Sequence, residues 1–380
     1  MNRRFETPRA AYVHVPFCRH HCGYCNFTVI ARRDDLVDRY LQALAIELAS
    51  LARPREVESL YLGGGTPSHL SPAQLCELLG RLREWFVPAG SFEFTLEANP
   101  VDMLPDRLGV MREFGINRIS LGIQSFLPDK LAALERDHRQ PEILRALEHV
   151  RGHVGNVSID LIFGVPGETE DCWRRDLETL IAVRPQHVSI YGLTIERGSR
   201  FFGRVRKNQL KRLDDETERA MYLTAIDTLA SAGYEHYEVS NFALPGFRSR
   251  HNEAYWTGRT YEAFGPGASR FVAGRRETNH RSVVTYLRRV MAGESPVAES
   301  EQLEPEDAAR ERLVFALRRI EGIDKQEFLA ETGFRVHDLG GPALERFVAW
   351  GLLEDTPQTL RLTRDGLVVS DALWPEFLRQ

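Results

Sequence analysis

The 380-residue sequence predicts an α/β protein built on parallel strands, with a smaller, mostly helical unit at its C-terminal end. Three observations lead there. Six short runs rich in β-branched and aromatic residues alternate with helical patterns over the first 212 residues, and that alternation builds parallel βα units. After about residue 305 the alternation gives way to successive helical patterns. Every unusual motif of the first half also falls at the C-terminal end of a predicted strand, where parallel α/β proteins bind ligands.

The runs AAYVHVP (10–16), VESLYLG (57–63), SFEFTLEA (91–98), INRISLGI (116–123), NVSIDLIF (156–163) and HVSIYGL (187–193) read as strands. Between them, LVDRYLQALAIELASL (36–51) repeats apolar residues at helical spacing. The stretch SPAQLCELLGRLREWF (71–86) opens with Ser71 as N-cap and Pro72 at the first helical position. Six such units suit a curved, partly closed barrel and an open doubly wound sheet equally; spacing does not separate them. A helical pattern over 214–232 leads to YEHYEVSNF and then to a loop-rich segment over 245–274. From about 305 come three helices, a short hairpin in LLEDTPQTLRLT and a last helix, the order of a winged helix. Residues 301–380 carry 10 Lys/Arg against 16 Asp/Glu, a net charge of −6. Such a module repels phosphates, so it reads as structural packing and not as a nucleic-acid binder.

Composition bounds the rest. Hydrophobic residues make up 43% and charged residues 27%, an ordinary soluble balance, and the net charge of −5 attracts neither nucleic acid nor anionic membrane. No run approaches the ~18 apolar residues of a membrane span. The start MNRRFETPRA has no apolar stretch behind it, so a cytoplasmic protein with reduced thiols is expected. Five cysteines, three of them crowded together, do not suggest a disulfide framework.

The first strand runs into CRHHCGYC, where Cys18, Cys22 and Cys25 follow a C-x3-C-x2-C spacing. One loop can wrap three such thiolates round a compact centre. Zinc would take His20 or His21 as its fourth ligand. A [4Fe–4S] cluster on three cysteines would instead leave one iron open to a small ligand. The neighbouring motifs favour the cluster. The second strand ends in GGGTP (63–67), whose missing side chains let backbone approach a ligand. Glu97 in LEANP, Gln124 in GIQSF and Asp160 before FGVPGE add polar groups to the same rim, which suits an amino acid and a ribose. Cys76, inside a helical pattern, and Cys172, beside Trp173, read as buried structural thiols.

With these residues in place, the sequence resembles the radical S-adenosylmethionine (SAM) superfamily. More narrowly, YVHVPFCRHHCGYC, LGGGTPS, LGIQSF, ERDHR, DLIFGVPGE and SRHNEAYW together resemble the HemW family, a relative of the oxygen-independent coproporphyrinogen III oxidases. The resemblance runs from about residue 10 to the C-terminal module. It implies a partial (β/α)6 TIM-like barrel over 1–212, a family-specific extension carrying the H-N-x-x-Y-W motif over 213–300, and a winged-helix-like domain over 301–380. It further implies a [4Fe–4S] cluster on Cys18, Cys22 and Cys25, with SAM chelating the open iron. Tyr12, Gly64, Gly65, Thr66, Glu97, Gln124, Arg136 and Asp160 match positions that lie against SAM. An electron donor for the cluster is implied as a partner.

Two departures bear on function. The decarboxylating relatives carry a further cysteine two positions after the third, where this chain has Phe27. HNEAYW (251–256) is the pattern that the HemW family associates with heme, and it offers His251 as an axial ligand between Tyr255 and Trp256. The expected function is therefore a heme chaperone that delivers heme to apo-heme proteins. The alternative is an oxygen-independent coproporphyrinogen III dehydrogenase; cluster and SAM motifs are common to both, so SAM turnover does not separate them. The second departure is Ser269 in GPGASRF, where the family commonly has histidine. The basic run 197–212 holds seven Lys/Arg and no acid, and reads either as a solvated loop or as a contact for propionates or an acidic partner.

Overall fold

The computed structural model describes residues 7–378. The charged start over residues 1–6, read above as lacking a leader, lies outside the described residues. The six expected strands form as β1 (Ala10–Val15), β2 (Arg55–Gly64), β3 (Phe86–Ala98), β4 (Arg118–Gln124), β5 (Asn156–Phe163) and β6 (His187–Gly192). Beyond them come β7 (Glu235–Glu238), β8 (Asn241–Ala243), β9 (Tyr261–Phe264), β10 (Ser269–Val272), β11 (Arg275–Asn279) and β12 (Val297–Gln302). All twelve join one sheet in the order β12-β11-β10-β9-β1-β2-β3-β4-β5-β6-β8-β7. From β9 to β6 every neighbouring pair is parallel. The outer pairs are antiparallel, and the two end strands do not pair with each other.

A parallel sheet with helices on both faces is apolar on both, but here the strands alternate with period two. Across the register, Val13 pairs with Leu62, Leu62 with Leu96, Leu96 with Ile119 and Ile119 with Val157, giving one wholly apolar face. The other face is polar: Tyr12 pairs with Tyr61, Tyr61 with Thr95, Thr95 with Arg118, and Asp160 with Ser189. The helices that follow the first strands cover the apolar face. Helix α1 (Val37–Ala49) buries Val37, Tyr40, Leu41, Leu44 and Leu48 there, and α2 (Pro72–Trp85) buries Leu75, Leu78, Leu79 and Leu82. The polar face curls round a lumen. Fully buried Arg118 feels Tyr61, Glu93, Asp160 and Tyr237, which come from four other strands, and only a concave sheet brings these together. The architecture is thus a partial barrel, open at its edges.

Helix α2 begins as expected: the Ser71 side chain accepts from the Gln74 amide, Gln74 bonds back to the Ser71 amide, and Pro72 follows. Cys76, however, is exposed, because it lies one position off the leucine stripe, and Cys172 is partly exposed at the start of the helix Glu170–Val183. Both corrections come from helical phase.

The segment read as loop-rich over 245–274 holds a short helix, Arg250–Trp256, as well as β9 and β10. Glycines at 258, 265 and 267 cut it into pieces too short to show a period. The helix stoppers the lumen from below. The amides of Arg250 and His251 and the Ser249 hydroxyl all donate to the Glu93 carboxylate on β3, at 3.2–3.3 Å. The strands of 213–300 extend both edges of the main sheet.

At the C-terminal end, helices Pro305–Leu317, Lys325–Thr332 and Val336–Ala349 pack with a small three-stranded sheet in which Thr359–Leu362 lies between Ile323–Asp324 and Leu353–Asp355. This is the winged-helix order with one strand more than the hairpin predicts. Among the described residues no helix is long and apolar enough to cross a membrane.

Candidate functional site

The loop that leaves β1 is pinned at its neck. Phe17–Cys18 pairs with Ile30–Ala31, and the Ile30 amide donates to the Pro16 carbonyl at 2.7 Å. Within it, Cys18, Cys22 and Cys25 are free thiols, each partly buried. They line a cavity of about 590 Å³ at the C-terminal mouth of the barrel, together with Gly64, Gly65, Thr66, Glu97, Gln124, Arg136 and Asp160. The structure therefore brings together every sequence-predicted site residue except Tyr12 and His251.

The glycines also serve the cysteine loop. The Gly65 amide donates to the Val15 carbonyl and the Thr66 amide to the Phe17 carbonyl, both at 2.8 Å. A Cβ on Gly65 would sit 2.7 Å from the Phe17 oxygen, and one on Gly64, where φ is +108°, would meet the His14 ring. The missing side chains admit the cysteine loop itself, and Thr66 Oγ1 then stands 3.5 Å from Cys18 Sγ.

Behind the loop, the lumen supplies carboxylates. Glu97 accepts from the Gly64 amide at 3.0 Å and from the Tyr61 hydroxyl at 2.8 Å. Burial, with Asp160 nearby, pushes its carboxyl up to about 7. Asp160 accepts from Ser120 at 3.1 Å and is likewise raised by burial. Gln124 adopts φ +70° with its Oε1 buried and unpaired, an acceptor waiting for a donor. Arg136, matched from sequence to a SAM contact, is in a loop and partly buried. Its Nη1 lies 3.4 Å from Cys22 Sγ and its Nη2 donates to the Gly122 carbonyl at 2.7 Å.

This donor set fits an iron–sulfur cluster better than a single ion. Among the described residues, no three His, Cys, Asp or Glu side chains gather round one metal position. Zinc would need its sulfurs within about 4 Å of one another, since each Zn–S bond is about 2.3 Å, whereas a four-iron cube spreads them wider. Burial also raises the Cys25 thiol and pushes Cys18 up to about 12, so a cationic centre is needed to hold either as thiolate. The unpaired Gln124 carbonyl and the carboxylates beside it suit a ligand with amine and hydroxyl donors.

Tyr12 and His251 lie elsewhere. Tyr12 shares a hydrogen bond with His14 Nδ1 at 3.0 Å, stacks on Tyr61, and lines the neighbouring cavity. His251 is buried under the sheet, with Nδ1 3.1 Å from Ser59 Oγ and Nε2 2.8 Å from the Tyr255 hydroxyl. It also stacks on Tyr61, and burial lowers it to about 3. Both ring nitrogens are thus engaged by side chains of the protein itself, an arrangement that favours a scaffold role for His251 over the expected axial heme ligand.

Sequence reasoning missed Tyr61, Ser120, Arg118 and Tyr191, all on the polar face. Their signal was present: polar residues at every second position of strands that are otherwise β-branched and apolar. The basic run is also more than a solvated loop. Residues Arg200–Arg206 form a helix whose Phe201 amide donates to the Gly23 carbonyl at 2.9 Å, while Arg200 bonds the His21 carbonyl and Glu135. It clamps the cysteine loop.

Comparison with known proteins agrees with this geometry. The chain carries a radical SAM domain: the family model described as Radical SAM superfamily matches residues 12–180, and the HemN C-terminal domain matches 303–369. The fold is that of Escherichia coli coproporphyrinogen III oxidase (HemN), described as a radical SAM enzyme, with a TM-score of 0.85 and 23% identity over 98% of this chain and 90% of that one. Among curated relatives, the heme chaperone HemW of Bacillus subtilis (strain 168) is 31% identical over 97% of this chain and 99% of its own. The HemW of Lactococcus lactis (strain IL1403) is 33% identical over 98% of each, and that of Mycobacterium tuberculosis (strain H37Rv) 35% over 96% and 94%. The chain belongs to the HemW family.

Proposed function

We propose that this protein is a heme carrier: it binds heme and delivers it to apo-heme proteins, on a radical SAM core. The observation that carries this is the near-full-length likeness to proteins named heme chaperones, which extends through the extension and the C-terminal unit. Phe27 supports it, since it is 71% exposed at the cavity mouth, where the decarboxylating relatives have a cysteine.

Cys18, Cys22 and Cys25 would hold a [4Fe–4S] cluster, and Glu97, Gln124, Arg136 and Asp160 would hold SAM. When bound there and reduced by an electron-donor protein, such a cluster would supply the electron for reductive cleavage of SAM. The protein's own part is positioning. Thr66 and Arg136 set the sulfurs of Cys18 and Cys22, the Arg200–Arg206 helix fixes the loop backbone, and the buried carboxylates bind the amine and hydroxyl groups of SAM.

The test is anaerobic reconstitution of the full chain, followed by iron, sulfide and zinc analysis and by titration with heme. Four irons per chain, saturable heme binding and transfer to an apo-heme protein are expected. Cys18→Ala, Cys22→Ala and Cys25→Ala should each lose the cluster, and Cys76→Ala should keep it. Conversion of coproporphyrinogen to protoporphyrinogen by the reduced protein with SAM, without saturable heme binding, overturns the carrier in favour of the dehydrogenase. Stoichiometric zinc without sulfide overturns the cluster.

A further inference from the structure

A second cavity, of about 500 Å³, lies between the sheet extension and the C-terminal unit. Its walls are aromatic: Tyr255 and Trp256 end the short helix, Tyr261 and Phe271 come from β9 and β10, and Phe315 comes from the first C-terminal helix. Arg259 and Arg276 also line it. Arg259 pairs with Glu58 at 3.2 Å, and Arg276 pairs with Glu311, itself a lining residue. A guanidinium has five N–H donors and one carboxylate engages at most two, so each arginine retains donors for a second anion.

One wall group lacks a partner. The indole N–H of Trp256 is buried and meets no acceptor, although an indole N–H can only donate and is costly to bury unpaired. Its ring is covered by the Arg318 guanidinium at 4.6 Å. Aromatic walls, arginines and an unanswered donor select a flat apolar ring bearing carboxylates, and the volume is in the range of small-molecule sites.

We propose that this cavity seats the porphyrin, packing its ring against the aromatic wall of Trp256, Phe315 and Phe271 and holding its propionates through Arg259 and Arg276. This rests on the heme-carrier reading and adds where and how the ring is held. Among the described residues no His, Cys or Met lines the cavity, so retention comes from ring and carboxylates and the iron contributes little. Ser269, where the family commonly has histidine, lines this cavity and the next. Among the described residues that intermediate cavity shares only Phe27 and Arg281 with the cysteine cavity. Porphyrin and SAM therefore occupy separate sites and bind without competition.

The test compares heme and metal-free protoporphyrin IX on the full-length protein, by absorbance and by quenching of tryptophan emission. Both should bind, with Kd values within about tenfold of each other. Ala308→Trp, which fills the slot from a partly exposed helix position, and Arg276→Glu should each weaken both ligands by about tenfold or more. SAM affinity should stay unchanged in both variants, which reports intact folding. Wild-type porphyrin affinity in both variants overturns the seat while leaving the carrier standing. So does heme binding by a wild-type protein that ignores metal-free protoporphyrin. Failure of the wild-type protein to bind either porphyrin overturns the carrier and the seat together.

Discussion

Arg136 stands with Nη1 3.4 Å from the Cys22 sulfur while Nη2 of the same guanidinium donates to the Gly122 carbonyl at 2.7 Å. One planar group thus ties the cysteine loop to the end of β4, a bridge that the fork of arginine makes and the single ammonium of lysine does not. Arg136→Lys should therefore fold normally yet hold less iron and sulfide after reconstitution. Its SAM affinity should fall by about tenfold, the worth of one charge-assisted hydrogen bond. Wild-type cluster content with unchanged SAM binding would show that the bridge is incidental.

Glu97 makes stability depend on pH. Burial raises its carboxyl from 4.5 in an ordinary setting to about 7, so the folded protein keeps a proton that the unfolded chain gives up. The stabilisation is complete below the unfolded value and is lost as pH rises through the folded one. Between about pH 4.5 and 7 the wild type should lose on the order of 3 kcal/mol relative to Glu97→Gln, at about 1.4 kcal/mol per unit. Urea midpoints of both proteins at pH 5, 6, 7 and 8 measure this. A constant difference across the series contradicts it.

Much of this site was legible before the structure. The cysteine spacing, GGGTP, Glu97 and Gln124 each sit at a strand end and Asp160 lies on the strand that runs into FGVPGE, and strand ends of parallel sheets share one face, so their meeting followed from topology. Gly65 illustrates what was not legible: glycine admits a close neighbour, but sequence does not say whether that neighbour is a ligand or, as here, the Val15–Phe17 backbone. The partial barrel was undecided because strand spacing is the same in open and curved sheets. The alternation of Tyr61, Thr95 and Arg118 with Leu62, Leu96 and Ile119 would have decided it, since only a lumen rewards a polar inner face. The helix Arg250–Trp256 escaped because seven residues make barely two turns.

Lys130 anchors the segment that follows β4. Its ammonium pairs with Glu168 and, at 3.0 Å, with Asp176, which also accepts from the Ser125 hydroxyl at 2.8 Å and the Phe126 amide at 2.7 Å. All three charges are buried. Removing the cation leaves two carboxylates without compensation, so Lys130→Ala should cost about 3–5 kcal/mol in equilibrium unfolding. Lys130→Met combined with Glu168→Gln and Asp176→Asn should recover part of that, because no uncompensated charge remains. A triple variant no better than Lys130→Ala would assign the loss to packing against Trp173, 4.7 Å from the ammonium.

His251 separates scaffold from ligand. The imidazole bridges Ser59 on β2 and Tyr255 on the stopper helix, and it stacks on Tyr61 with ring centres 4.9 Å apart. A residue so engaged holds the helix under the sheet, and the cavity with the aromatic walls then inherits its shape from Tyr255 and Trp256. His251→Gln should consequently unfold more easily, by about 2 kcal/mol for two buried hydrogen bonds made less well, and its Tm should fall. Below that Tm, its heme complex should keep the wild-type Soret position, because the iron never met the imidazole. An axial ligand would behave in the opposite way: the Soret band would move while Tm changed little. Measuring both on one preparation decides between the two roles, since burial of both ring nitrogens leaves no arrangement in which His251 serves as each at once.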